Sequence, residues 1–301
     1  GILGTIGLPL SKELRKRGHE VCGIDHKHSN LADVSRVDIA NYRQLASYFR
    51  DDYAYDFVYH LAAEFGRLNG EEFYESLWRT NVVGTRNLLE IQLDYGFKLI
   101  FGSSSEIYGE QQHSPDLYEN LPNEISIQQP NDYALSKWVN EVQIMNFEKR
   151  YSNLVMRLRF FNAYGPGEFY NPYRSVVCLF CYRALHGLRW TVYRNYHRVF
   201  MYIDDFIPTL ANVVNRFKAG EVINIGGSEY RSVEQLNEIV LRHSGANPAL
   251  VTYLAKDKHN TVNKRPDITK ARALLDHDPK VTLEEGIPKT LDWMRRVYEV
   301  G

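Results

Sequence analysis

GILGTIG, residues 1–7, places a glycine at every third position. Such a run closes a turn between a strand and a helix and lets the backbone approach a pyrophosphate closely. The next residues agree. LPLSKELRKRG (8–18) has helical spacing and ends on glycine, and HEVCGID (19–25) is a short apolar strand with a carboxylate at its end. The helix start offers free N–H groups and partial positive charge to phosphates. Asp25 stands 18 residues after Gly7, where a carboxylate accepts from adenosine ribose hydroxyls and repels a 2′-phosphate, which favours NAD over NADP. Gly1, Gly4, Gly7 and Asp25 are therefore candidate cofactor residues. Asp38, ending VSRVDI, is either a further one on the adenine side or an ordinary turn aspartate. The chain starts on the first glycine, so no strand leads into the turn; a sheet without that central strand has two unpaired edges. The sequence is therefore expected to belong to a longer protein with at least one more strand at its N-terminus.

Outward from this turn the first half alternates strand and helix. NYRQLASYFRDD (41–52) reads as a helix capped by asparagine, DFVYHLAA (56–63) as a buried strand, and residues 71–96 as one long helix. KLIFGSSSEIYG (98–109) reads as a strand running into a loop. The segment at 131–151 is a helix, and NLVMRLRFFNAYGPG (153–167) begins as a strand. This alternation predicts an α/β, doubly wound parallel sheet, with functional residues just beyond the carboxyl ends of its strands. Its first strand is the one absent from the sequence. The second half has helices near 176–186 and 204–217, the strand EVINIGG, and three more helices toward the end; it reads as a smaller mixed substrate domain. The expected division is 1–167 with about 202–226 for NAD, and about 168–201 with 227–301 for substrate.

The 301 residues are 44% hydrophobic and carry a formal net charge of −1. No global field favours nucleic acid or an anionic membrane, and no apolar run reaches membrane-spanning length. Cys22, Cys178 and Cys181 are too few and scattered for a disulfide framework, which fits a reducing, cytoplasmic compartment. Cys178 and Cys181 form a C-x-x-C inside an apolar helical run; this reads as core packing, and no metal site is expected.

YALSK puts Tyr133 and Lys137 four residues apart on one helix face. A phenol near pKa 10 is a poor base at neutral pH, and a nearby ammonium is expected to draw it down toward the working range. Ser103, Ser104, Ser105 and Glu106 tip the preceding apolar strand, and a serine hydroxyl there shares the hydrogen bond to a substrate oxygen.

These segments occur in order with HLAA (60–63), TNVVGT containing Asn81, RFFNAYGPG containing Asn162, RVFMYIDD containing Arg198, and RPDITKA containing Arg265. Over almost its whole length the chain resembles the extended short-chain dehydrogenases/reductases of the nucleotide-sugar epimerase/dehydratase family. It departs from the usual glycine turn at Ile2 and Thr5. The resemblance implies a Ser104–Tyr133–Lys137 catalytic triad, NAD as cofactor and a nucleotide-diphosphate sugar as substrate. It implies that Asn162, Arg198 and Arg265 bind the diphosphate, a role that suits the planar guanidinium fork, with Ser105 and Arg174 beside the sugar. It also implies a homodimer joined through the helices at 71–95 and 132–151, where Trp78, Leu88, Trp138, Val142 and Met145 either form the seam or pack on the sheet.

The implied first step is removal of a sugar proton, usually at the C4 hydroxyl, by Tyr133 while hydride passes to NAD. The resulting ketone then returns as an epimer, loses a carboxylate, or eliminates water. Dehydratases of this family typically carry Asp–Glu after the serine. Here Ser105–Glu106 stands instead, a pattern resembling UDP-glucuronate decarboxylases that also occurs among epimerases. The expected order is epimerase, then decarboxylase, then dehydratase. Glu106 either works as an acid–base group or stands behind the reacting atoms. In AAEFGRLNG (62–70), Glu64 and Arg67 either face the sugar or pair within the loop. A scaffold that binds a nucleotide without chemistry is the alternative from another class; the complete triad argues against it.

Overall fold

The structure is a computed structural model that describes residues 1–50, 54–110, 116–257 and 260–300. Strand and helix alternate in the first half: α1 (Gly7–Lys16), β1 (Gly23–Asp25), β2 (Val34–Arg36), α2 (Tyr42–Phe49), β3 (Phe57–His60), α3 (Arg67–Glu72), α4 (Tyr74–Leu77), α5 (Gly84–Tyr95), β4 (Lys98–Ser104), α6 (Leu121–Glu124), α7 (Asp132–Tyr151) and β5 (Val155–Phe160). Then come β6 (Ala163–Tyr164), α8 (Val176–Leu185), β7 (Trp190–Tyr193), β8 (His197–Val199), β9 (Met201–Tyr202), α9 (Ile203–Arg216) and β10 (Val222–Ile225). The last quarter holds β11 (Tyr230–Ser232), α10 (Val233–Ser244), β12 (Val251–Leu254), β13 (Asn263–Lys264), α11 (Thr269–Leu275) and α12 (Leu283–Tyr298).

The fold is Rossmann-like. A parallel sheet runs β10-β5-β4-β3, and β1 and β2 form a parallel pair beside it. Residues 1 and 2 lie between the ends of β1 and β3. Ile2 N donates to Ile24 O at 3.2 Å, and a Cβ at Gly1 would stand 2.7 Å from Ala62 N.

Period-two alternation decides which side chains face which helices. Leu99, Phe101 and Val155 pack with Leu88 and Leu89 of α5 and with Ile144 and Phe147 of α7. Ile100, Met156 and Leu158 join Ile223 and Ile225 against Leu10 and Leu14 of α1 and Phe206 and Leu210 of α9. Each such fully buried side chain contributes roughly 1.5–3 kcal/mol. The second cluster continues without interruption into α8, α10 and α12, and it takes in Cys178 and Cys181. Burial pushes both thiols up.

The asparagine cap read at Asn41 is present, its Oδ1 accepting from Gln44 N, and Asn131 caps α7 in the same way, its Oδ1 accepting from Ala134 N. Asp51 and Asp52, the end of the segment read as that first helix, lie outside the described residues. HEVCGID forms only three residues of strand. The long helix expected over 71–96 is interrupted. Phe73 leaves helical geometry at φ −127° and ψ 48°, and a π turn spans Trp78–Val83 before α5 begins.

Candidate active site

The carboxyl end of one strand meets the start of one helix. β4 ends at Ser104, and α7 begins beside it with Tyr133 in its first turn. Tyr133 is buried, hydrogen-bonded to the Ser104 hydroxyl and edge-on to Phe65. Ser104 Oγ also accepts from Glu106 N at 3.2 Å, which starts the short 3₁₀ turn Ser105–Tyr108. One turn further along α7, Lys137 Nζ donates to Gly102 O at 2.8 Å and sits 5.2 Å from the centre of the Phe101 ring. Ser104, Tyr133 and Lys137 are thus together.

The electrostatics differ from the expectation. Burial pushes the Tyr133 phenol up, the Ser104 hydrogen bond offsets part of the rise, and the Glu106 charge adds to it. The Lys137 ammonium is directed to a backbone carbonyl, so its hydrogen bond goes to the strand and not to the phenol. Burial pulls Lys137 itself down to about 8, with Glu141 opposing.

A second layer fixes these groups. Ser103, on the opposite face of β4 from Ser104, donates to Glu141 Oε1 at 2.5 Å, and Glu141 forms a two-bond pair with Arg159 at 3.0 and 2.8 Å. Asn81, in the π turn, donates to Ser136 Oγ at 3.0 Å and to Glu64 O at 3.1 Å, and accepts from Glu64 N at 2.8 Å. The wider π turn brings this side chain inward against α7, which accounts for the interruption of the helix. Thr85 donates to Asn81 O at 2.6 Å, so its oxygen accepts from His60 Nε2 at 2.9 Å; the His60 proton is assigned to Nε2 from this network.

The glycine turn fits a pyrophosphate. A Cβ at Gly7 would fall 2.3 Å from Gly1 O, so the turn closes only without one. No side chain caps α1 and no acid occupies its first turn. Leu8 N and Leu10 N already donate to Gly4 O and Ile6 O and Pro9 has no N–H, so Gly7 N and the positive end of the helix dipole are what the turn offers an anion. A Cβ at Gly4 would meet Gly1 O at 3.3 Å, a milder restriction. Asp25 is buried, with its oxygens accepting from Leu3 N and Lys27 N, each at 3.1 Å. Asp38 accepts from Ala40 N at 2.9 Å, two residues beyond β2, and so has a local turn role.

The remaining candidates divide. Glu106 forms an ion pair with Lys264. Burial would push Glu106 up, but Lys264, Arg198 and Arg67 together hold it below the usual carboxylate range. Ser105 is buried at the start of the 3₁₀ turn. Arg198 is 5% exposed, and every one of its partners is neutral: the carbonyls of His197, Thr261 and Val262 and the Asn260 amide oxygen. Asn162 takes a left-handed φ of 40° and donates to Val199 O at 2.9 Å. Arg265 points away, 54% exposed and paired with Asp116 at 3.1 Å. Arg174 donates to Phe169 O at 3.2 Å, outside this cluster.

Sequence reading missed Lys264 and Asp257. β13 pairs with β8 so that Lys264 lies opposite Arg198, and the pleat turns its neighbour Arg265 outward. The NKRPD stretch held the signal, but not the strand phase that chooses between adjacent cations. Arg67 pairs across the cleft with Asp257, at 3.0 Å for one of two bonds, while Glu64 accepts from Asn69 and Ser76.

The model of the NAD dependent epimerase/dehydratase family matches residues 1–226. A UDP-N-acetyl-alpha-D-glucosaminuronate decarboxylase of Bacillus cytotoxicus is 28% identical over 321 positions, covering 99% of this chain and 97% of the relative. A UDP-glucuronate 4-epimerase of Thermodesulfobacterium geofontis is 29% identical over 333 positions, covering 100% and 96%. The crystal structure of UDP-glucuronic acid 4-epimerase from Bacillus cereus, in complex with UDP-glucuronic acid and NAD, superposes with a TM-score of 0.86. It is 27% identical, with 99% of this chain and 98% of that one covered.

Proposed function

The chain belongs to the NAD dependent epimerase/dehydratase family, and from that premise we propose that it is a nucleotide-sugar 4-epimerase, with a UDP-uronate as the first substrate to test. The observation that carries the reading is the Ser104–Tyr133 hydrogen bond at the end of β4, with Lys137 one helical turn away. Gly1, Gly4, Gly7 and Asp25 hold the cofactor in this reading. NAD, when bound there, supplies the hydride acceptor. The chain's own part is proton handling and orientation. Tyr133 takes the proton from the C4 hydroxyl as the carbonyl forms and returns it as the alcohol re-forms. Ser104 shares that oxygen and fixes its direction, while Lys137 holds the strand end through Gly102 O. Arg198, whose hydrogen-bond partners among the described residues are neutral acceptors, and Asn162 receive the diphosphate in this reading.

The ion pair to Lys264 supports epimerisation over elimination, since a carboxylate so held is a weak base and no acid. The decarboxylase reading stays second, on Ser105–Glu106 and the Bacillus cytotoxicus relative. Residues 1–167 with about 202–226 form the cofactor part in this proposal, and about 168–201 with 227–301 the substrate part. Pairing of two copies through α5 and α7 also belongs to it. Trp78, Trp138, Val142 and Met145 are partly exposed there, whereas Leu88 is buried in the sheet's own core. Among the described residues no helix is long and apolar enough to cross a membrane.

Incubation with UDP-glucuronate and NAD tests the reaction. The expected product is UDP-galacturonate without CO₂. Release of CO₂ with no epimer would replace the first reading by the second, and light scattering at the monomer mass would remove the pairing.

A further inference from the structure

Three cations from two parts of the chain surround one carboxylate beside the proton-transfer group. Lys264 of β13 is 2% exposed and bonded to Glu106 Oε1. Arg198 of β8 lies opposite it in register, and Arg67 of α3 adds its charge while paired with Asp257. Glu106 N donates at 3.2 Å to the same Ser104 hydroxyl that bonds Tyr133, which places Glu106 beside the phenol, and its charge acts on it. The other charged groups near Tyr133 are Lys137 on its own helix and, at the exposed start of that helix, Asp132 and Glu71, whose Oε1 accepts from Asp132 N at 3.2 Å. Phe65 and Ser104 bring no charge. Glu106 is thus the charge on the strand side of the phenol, and Lys264 is its direct counter-ion.

We infer that Lys264 is a positioning residue for the proton transfer: by neutralising Glu106 it sets how readily Tyr133 gives up and takes a proton. The inference rests on the reading of Tyr133 as the group that deprotonates the sugar. A bare carboxylate near a phenol disfavours the phenolate. Lys264 offsets part of that penalty, and it does so from the last quarter of the chain, so the acid–base group on α7 depends on a residue more than a hundred positions away. Lys264 is fully buried and Glu106 largely so, and partly buried charges are screened less than surface ones.

Opposite-signed variants test this. In Lys264→Met, Glu106 loses its direct counter-ion and keeps only the influence of Arg198 and Arg67, and Tyr133 should ionise at higher pH; in Glu106→Gln the three cations lose their carboxylate, and Tyr133 should ionise at lower pH. Each displacement should be on the order of one pH unit, and the double variant should lie between them. The NAD-loaded protein with ¹³C-labelled tyrosine rings reports this directly by NMR, with the Tyr133 signal assigned by its loss in Tyr133→Phe. The ionised fraction at fixed alkaline pH should rank Glu106→Gln above wild type above Lys264→Met. The alkaline dependence of kcat on UDP-glucuronate should shift in the same order. A pair that merely holds the fold together would move both single variants the same way or leave the Tyr133 signal in place, and either result overturns the inference. Should Lys264→Met fail to fold, Lys264→Gln supplies the same comparison. If wild type fails to turn over UDP-glucuronate while the NMR order holds, the substrate reading falls and the electrostatic inference stands.

Discussion

His60 should make the protein acid-sensitive by a calculable amount. It is 4% exposed, donates through Nε2 to Thr85, and lies near Lys137. Burial first, then the Lys137 charge, pulls it from 6.5 down to about 3. Between those values the unfolded chain binds a proton that the folded chain refuses. Stability therefore rises with pH across this window and is lost as pH falls through it. Taking the two pKa values at face value, the loss between pH 7 and pH 5 is about 2 kcal/mol. His60→Gln keeps a donor near the Nε2 position and cannot titrate. Urea unfolding of both proteins at the two pH values isolates the residue, because every other group titrates alike in both. Wild type should lose about 2 kcal/mol more than the variant. Equal losses would mean that His60 is solvated or pairs differently from the network described.

Tyr133→Phe should lower kcat by about 10²–10⁴-fold while calorimetry still shows NAD binding; unchanged turnover would remove Tyr133 from the chemistry. Gly7→Ala would place a Cβ 2.3 Å from Gly1 O and should weaken NAD at least about tenfold by titration calorimetry. Glu141→Gln leaves the buried Arg159 without its counter-charge and should destabilise by about 3–5 kcal/mol, read as a lower denaturation midpoint. A shift under 1 kcal/mol would show that water or Ser103 compensates.

Local rules made most of the frame legible. Asn41 announces a helix because a short side-chain acceptor satisfies an N–H there whatever surrounds it. The glycine turn, Asp25, the serine-tipped strand and YALSK all lie where their order predicts. What failed to show in the sequence depends on distant partners. The π turn exists because Asn81 reaches both Glu64 and Ser136, and apolar spacing alone reads straight through it. Lys264 and Arg265 are adjacent cations, and only pairing with β8 decides which turns inward. The direction of the Lys137 ammonium is set by Gly102 O, on a strand distant in sequence. Arg198 was legible as a residue, but not the ring of carbonyls that encloses it.

The Arg67–Asp257 and Glu106–Lys264 contacts tie the sheet's upper edge to segments beyond residue 226, where the family match ends. In the reading proposed above, the matched three quarters of the chain therefore do not carry the whole reactive environment. Substitutions confined to the tail can retune the acid–base step while every strand residue stays as it was, so members alike in their first three quarters can diverge in outcome.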